Sequence, residues 1–450
     1  MPSPSRYPRT MIGTYQRFNM GVRPKRQWPI FTLIIWLASF PKTWMHRARI
    51  DKSAVPKDLQ PPYFLLCNHN SFMDFMNMSR AIFPHRANYV VAIDGFIGRE
   101  WLLRNVGCIG NRKFTHSISL VKNMLIARNM GTIVVLFPEA RYSLCGTASA
   151  LPDSVGKMVK RMNVPVVTLI AHGHHVNSPF WHVGNRGVKP VNSVMKQLIS
   201  AEETQSLSVE EINARLGQEF VYDDFAWQKK QGIQVSQPDR AEGLHKVLYQ
   251  CPSCLTEYQM ESSGNLLRCA ACHTVWEMTE SGELVAQNTP GRDADQGATG
   301  RDADQGAETH NTENRFSHIP DWYEWQRQNV RQEVEAGHYR FQSAVRIESL
   351  PNAKRFVVFE EPGLLTHNMN GFELNGRCQG EDFTVSWPVS QLYACHIEYD
   401  YFKKGDCVDL NTNDDTFYIY PTRPDFAVTK IALATEELHR YWQATKGDSN

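Results

Sequence analysis

The chain has 450 residues, 42% of them apolar or aromatic, enough for two or three domains with real cores. Its formal net charge of +1 gives no global electrostatic case for nucleic acid. Four of the ten cysteines form two C-x-x-C pairs and the other six are scattered, which fits a reducing compartment with one metal site and excludes a secreted disulfide scaffold.

Residues 1–50 hold nine Lys/Arg and no Asp or Glu. Within them Ile30 to Phe40, IFTLIIWLASF, is an apolar run of eleven residues between Pro29 and Pro41. A spanning helix needs roughly 20 such residues, so this segment is too short to cross a bilayer alone. Trp28, Trp36 and Trp44 suit the headgroup level, and Arg23, Lys25, Arg26, Lys42, Arg47 and Arg49 suit anionic lipid. A helix lying in the membrane interface is the expectation. A buried core element and an organelle transit peptide are the alternatives.

From Asp51 to about Ile170 short apolar runs alternate with helix-like stretches. PYFLLC (62–67), YVVAI (89–93), TIVVLF (132–137) and PVVTLI (165–170) predict buried strands, with helices at 72–83 and 116–130. This alternation predicts an α/β domain with a largely parallel sheet. Residues 190–230 read as helical and charged.

The stretch NHNSFMDF (68–75) has two readings. Ser71-Phe72-Met73-Asp74 is close to a capping box, with Ser71 as cap and Asp74 in the first turn. Alternatively, the strand delivers His69 to the carboxyl edge of the sheet, where α/β proteins place their sites. Asp74 then holds one imidazole N–H and leaves the other nitrogen to accept a proton.

HNSFMD resembles the H-x4-D block of the PlsC-like glycerolipid acyltransferases. Three further blocks follow in that family's order: GCIGNR (107–112), FPEARYS (137–143) and VPVVTL (164–169). The resemblance implies acyl transfer from a thioester, acyl-CoA or acyl carrier protein, to a lysophospholipid hydroxyl. His69 and Asp74 would be catalytic, and Arg112, Glu139, Arg141, Pro138 and Gly107 would bind substrate. It puts Arg112 on the acceptor's phosphate, Glu139 in ordering the acceptor site, and Pro165 and Val166 near the acyl chain or in the core. Lysophosphatidate is the first choice of acceptor, with another lysolipid or glycerol 3-phosphate as alternatives and a catalytically silent scaffold as the rival. Three departures touch the acceptor blocks. Ala140 stands where the family has Gly, Arg141-Tyr142 replaces Thr-Arg, and Gly110 replaces an apolar residue or Pro. AHGHH (171–175) with His182 reads as a polar loop or, alternatively, a metal site.

Cys251, Cys254, Cys269 and Cys272 stand in C-x2-C-x14-C-x2-C spacing, the pattern of a zinc ribbon with a closed structural Zn²⁺ site; rubredoxin-like iron is the rival, and His273 is a spare ligand. Residues 251–285 hold one Arg, no Lys and five Glu, which argues against nucleic acid and for a stabilising or protein-docking role. GRDADQGAT (291–299) recurs as GRDADQGAE (300–308) without a large apolar residue to stack, so a solvated linker is preferred over a calcium-binding β-roll. A helix from Ile319 with Asp321 as cap and Gly337 as stop comes next. Strand-like stretches (RFVVFE, FTVSW, LYACHIEY, FYIYP) and a helix, AVTKIALATEELHRYW, close the chain; they weakly resemble a pleckstrin-homology or GRAM module.

The expected organisation is a membrane-associating segment (1–48), an α/β acyltransferase domain (49–240), a zinc ribbon (246–285), a linker (286–317) and a helix plus β-rich α+β module (318–450). The expected place is the cytoplasmic face of a membrane.

Overall fold

The computed structural model describes residues 12–287 and 315–447. The tandem nonapeptide lies outside the described residues.

Helix α1 (Pro29–Met45) starts with proline at its first turn, where a missing N–H costs nothing. Its burial is inverted. Thr32, Ser39 and Thr43 face the protein, while Ile30, Leu33, Ile34, Leu37, Phe40 and Trp44 are exposed, Leu37 at 65% and Trp44 at 80%. Ser39 sits on Met76 of the following helix at 3.4 Å, and the Thr43 hydroxyl is satisfied by the Ser39 carbonyl at 2.8 Å. No helix of the described residues is long and apolar enough to cross a membrane.

Seven strands form the first sheet: β1 (Arg49–Ala54), β2 (Phe64–Cys67), β3 (Ala87–Ala92), β4 (Cys108–Asn111), β5 (Ile133–Leu136), β6 (Val166–His172) and β7 (Asn192–Ile199). Their order is β1-β7-β6-β2-β5-β3-β4, and only the β6–β7 pair is antiparallel. β2 is buried throughout because helices cover both faces. These helices include α2 (Met73–Ala81), α3 (Glu100–Val106), α4 (Ile118–Asn129) and α5 (Ser154–Met162). All four predicted strands and both predicted helices are present. The reading of 190–230 as helical is corrected at its start. NSVMKQLI forms β7, with Ser193, Met195 and Ile199 buried, before α7 (Ala201–Ser206), α8 (Val209–Glu219) and α9 (Asp224–Gln231) follow the short α6 (His174–Asn177).

Strands β8 (Met260–Ser263), β9 (Leu266–Cys269), β10 (Val275–Met278) and β11 (Leu284–Gln287) make a small antiparallel sheet carrying the four cysteines. Helix α10 (Ile319–Glu335) buries Trp322, Trp325, Val330 and Val334; its cap residue is His318, and Asp321 lies inside the first turn rather than capping it. Trp322 packs on Trp276 at 5.0 Å and donates to the Gln250 carbonyl at 2.9 Å, tying α10 to the ribbon.

The C-terminal module holds β12 (Arg340–Ser349), β13 (Val357–Val358), β14 (Glu360–Asn368), β15 (Gly371–Cys378), β16 (Glu381–Pro388), β17 (His396–Glu398), β18 (Cys407–Asn411), β19 (Thr416–Pro421) and helix α11 (Val428–Gly447). Its antiparallel order is β16-β15-β14-β12-β19-β18-β17, with β13 beside β12.

Two guanidiniums bolt this module to the first domain. Arg112, just after β4, donates to Thr416 Oγ1 at 2.5 Å and to the carbonyls of Leu350, Pro351 and Asp414 at 3.4, 3.2 and 2.8 Å. Arg141 pairs with Glu436 of α11, which also takes Arg327 of α10 at 2.6 Å. Burial draws the Arg112 guanidinium down to about 10, against the raising effect of nearby carboxylates, so it remains charged at neutral pH. Replacing Arg112 with Met strands four acceptors of the module. Thermal unfolding of Arg112→Met should show a loss of roughly 2–4 kcal/mol, and Arg112→Lys, which lacks the planar fork, should recover only part of it.

Candidate active site

The carboxyl edge of the first sheet gathers the site. β2 ends at Cys67, and Asn68 fixes the chain beyond it, donating to the Ala171 carbonyl at 2.9 Å and accepting from the Ala171 N–H at 2.8 Å. His69 follows, and α2 begins at Met73.

Asp74 is 3% exposed and accepts four hydrogen bonds. Its Oδ2 takes the N–H groups of Asn70 (2.6 Å) and Ser71 (2.9 Å) and lies 3.2 Å from His69 Nδ1. Its Oδ1 lies 2.5 Å from Nδ1 of His174, a residue 100 positions further on. Burial pushes the carboxyl up, but the hydrogen bonds from His174 and His69 outweigh it and hold it well below the usual carboxylate range. Asp74 is therefore an anion that only accepts, so both imidazoles carry their proton on Nδ1. In His69 this leaves Nε2 as a free base. Half of the capping reading holds: Asp74 fastens the helix start and orients His69 with the same oxygen, but the cap position is Phe72, and Ser71 Oγ accepts only from the Met73 N–H, at 3.3 Å.

The ring of His69 lies between Phe137 and Tyr142, with centroids 4.3 and 4.2 Å away. Its backbone is held from the same block. The Ser143 N–H donates to the His69 carbonyl at 2.8 Å, and the His69 N–H donates to Glu139 Oε1 at 3.2 Å. Glu139 Oε2 accepts from the Ser149 N–H at 2.8 Å, and Tyr222 donates to the carboxyl at 3.3 Å. Burial pushes Glu139 up to about 7 despite these donors. Ala140 keeps the left-handed backbone (φ 56°) that the family's glycine supplies freely. A left-handed Ala costs roughly 1–2 kcal/mol, and here the Glu139 and Ser143 contacts sustain it.

His69 opens on a cleft of about 1180 Å³. Apolar side chains of α4, α5 and adjoining strands (Leu120, Val121, Met124, Leu136, Met158) line much of it, with Lys122, Lys157 and Arg161 among its polar lining. Pro138 and Arg141 line it too.

The predicted site residues thus divide. His69, Asp74, Glu139 and Pro138 come together. Arg112 lies in the module interface, its side chain on the opposite side of the chain from the cleft-lining Asn111 and Lys113. Arg141 touches the cleft, but its charge is committed to Glu436. Gly107 caps α3 in a left-handed turn (φ 97°) at the amino end of β4, the edge away from His69, where a Cβ would meet the Ala87 carbonyl at 3.0 Å. Gly110 is explained by Phe18, whose ring would lie 2.6 Å from a Cβ there. Val166 is fully buried in the core at the amino end of β6.

His174 is the residue that sequence reasoning missed. AHGHH does not converge on a metal. His174 reaches Asp74, whereas His175 packs on Trp181 (5.0 Å) and Phe225 and is pushed by burial down to about 3. Among the described residues the only group of potential metal ligands is Cys251, Cys254, Cys269 and Cys272, whose sulfurs lie within 4.8 Å of one another. Pairs stand 3.6 and 3.7 Å apart (Cys251–Cys272 and Cys254–Cys269). Thiolates at about 2.3 Å from a tetrahedral Zn²⁺ lie ~3.8 Å apart, so the donor set fits. His273 is no ligand in this set; it supplies a left-handed knuckle residue (φ 61°).

Two outcomes follow for activity. Without His174 the Asp74 carboxylate loses one of its four donors, and the group that orients His69 is held less firmly. His174→Phe should lower kcat/KM by about tenfold, and His174→Asn, which restores an N–H, should recover part of it. Glu139→Gln sets an amide N–H against the N–H of His69 or Ser149. Steady-state kinetics should show kcat reduced by about tenfold, with KM little changed.

Residues 47–172 match the family model described as Acyltransferase. A solved structure, the 1-acyl-sn-glycerophosphate (LPA) acyltransferase PlsC from Thermotoga maritima, aligns at 18% identity over 42% of this chain and 79% of its own, with a TM-score of 0.31. No curated protein matches. The H-x4-D block and its three companions all lie inside the matched span, so the chain carries an acyltransferase domain, and its blocks resemble those of the PlsC-like glycerolipid enzymes.

Proposed function

We propose that the chain transfers an acyl group from a thioester, on coenzyme A or acyl carrier protein, to the hydroxyl of a lysoglycerophospholipid. The observation that carries this is His69: Nδ1 faces a buried carboxylate, and the ring borders a largely apolar cleft. Nε2 takes the hydroxyl proton, and the oxygen attacks the thioester carbonyl. The C–S bond breaks as the C–O bond forms, and the imidazolium returns its proton to the departing sulfur. No acyl-enzyme is required. The apolar wall of α4 and α5 suits the acyl chain, and Lys122, Lys157 and Arg161 suit the phosphates of the donor. Lysophosphatidate, the first choice from sequence, loses support, because its two expected phosphate ligands, Arg112 and Arg141, hold the C-terminal module. Acyl transfer by the purified chain should fall by a factor of roughly 100 or more in His69→Ala. Equal rates in both proteins would refute the base assignment.

We infer further that the protein works at the cytoplasmic face of a membrane. α1 turns its large apolar side chains outward and its hydroxyls inward, the reverse of a soluble surface helix. Co-flotation with anionic vesicles should be strong for the wild type and largely lost in Leu37→Glu.

The cysteine cluster is read as a structural zinc site joining the two halves. Its ribbon contacts α9 through Lys229–Glu283 (2.6 Å) and α11 through Lys430–Glu257 (2.8 Å). Zinc would supply only cross-linking there. Native mass spectrometry should find one zinc per chain, and Cys269→Ser should lose it together with thermal stability. Two antiparallel meanders, β12-β14-β15-β16 and β17-β18-β19, joined through the β12–β19 pair and followed by α11, support, as a proposal, a pleckstrin-homology or GRAM-like module.

A further inference from the structure

The catalytic cleft is completed by the C-terminal module. Tyr393, His396 and Glu398 line it together with Lys113 and Asp94 of the first domain. A layer of rings connects this wall to the base. Tyr142, against His69, lies 5.9 Å from Phe180, which lies 6.3 Å from His396 and 5.3 Å from Tyr399. Phe114, beside Lys113, packs on Tyr393 at 5.4 Å.

The wall is acidic. Asp94 and Glu398 line the cleft, and the buried Asp409 behind them feels both, along with Lys113. One ammonium thus stands among three carboxyl groups. His396 is 2% exposed, and its Nε2 lies 2.8 Å from Glu398 Oε1. Its Nδ1 is buried without a partner among the described residues. Burial, with Lys113 beside it, draws the imidazole down and keeps it neutral. With Nε2–H donating to Glu398, Nδ1 is left as an acceptor. Burial, with Asp94 and Glu398 nearby, pushes Asp409 up to about 7, so the wall's full anions are Asp94 and Glu398, set against Lys113 as its cation and one unused lone pair on His396.

A phosphate monoester dianion meets repulsion here, and the two guanidiniums that would offset it are committed to Thr416 and Glu436. A phosphodiester that ends in an ammonium is complementary. Its phosphate matches Lys113, and its ammonium matches Glu398 and Asp94.

We propose that the C-terminal module forms the headgroup site of the acceptor, and that the head it selects is a phosphodiester bearing a primary ammonium, of the lysophosphatidylethanolamine kind, in preference to a phosphate monoester. This rests on the acyl-transfer reading above. Glu398 is then a specificity-determining residue.

The test is acylation of lysophosphatidylethanolamine and of lysophosphatidate, matched in acyl chain, by the full-length enzyme with oleoyl-CoA. The wild type should favour lysophosphatidylethanolamine by roughly tenfold or more in kcat/KM. Glu398→Gln, which is isosteric, should erase most of the preference. Glu398→Lys should reverse it, chiefly through KM. Equal use of both acceptors, a preference for lysophosphatidate, or a preference that Glu398→Lys leaves unchanged would overturn the headgroup assignment while leaving acyl transfer standing. Product from neither acceptor would overturn acyl transfer to lysolipids and the headgroup assignment with it.

Discussion

The site depends on one buried carboxylate. Asp74 has no water to solvate it, so its charge persists only because two imidazoles and two backbone N–H groups point at it. Each donor does a second job. The N–H groups of Asn70 and Ser71 fix the turn that begins α2. His69 has its tautomer set. His174 carries the constraint to the end of β6, the strand beside β2 in the sheet. Glu139 does for the backbone of His69 what Asp74 does for its ring, and the rings of Phe137 and Tyr142 fill the space that would let the imidazole turn. Preorganisation of this kind lets a general base act without reorganising at the moment of reaction.

A second constraint shapes the whole chain. Arg112 and Arg141 come from the blocks where a lone acyltransferase domain would offer cations to its acceptor, yet here they face inward onto the module. A buried guanidinium is costly unless several acceptors converge on it, and the module supplies them as carbonyls, Thr416 and Glu436. Both guanidiniums are committed to the module, which adds Glu398, His396 and Tyr393 to the lining of the cleft. The halves of the protein are thus joined around one cleft, with the cysteine ribbon and α10 packed along the seam.

Local patterns made part of this legible. Strands β2, β3, β5 and β6 were readable because sheet burial on both faces demands unbroken apolar runs, and the H-x4-D and C-x2-C spacings are short enough to be geometry in themselves. Strand β7 was not, because Lys196 and Gln197 stand half-buried among its apolar residues and blend into the charged helices that follow. β1, RIDKSA, is an exposed edge strand with no apolar pattern to read. The use of Arg112 depends on Thr416, 304 residues away, which no local spacing encodes. His174 lay between these cases. A histidine at the carboxyl end of a strand is a site signal, but only the strand order, with β6 against β2, shows that this end meets Asp74.

The most direct test of the central claim is the protonation of the two imidazoles, read from ¹⁵N chemical shifts of histidine-labelled full-length protein at neutral pH. The account predicts that His69 and His174 are both protonated on Nδ1, with Nε2 of His69 carrying the free lone pair, and that both patterns collapse in Asp74→Asn. A wild type in which Nδ1 of His69 is unprotonated, or in which Asp74→Asn leaves the shifts unchanged, would contradict it.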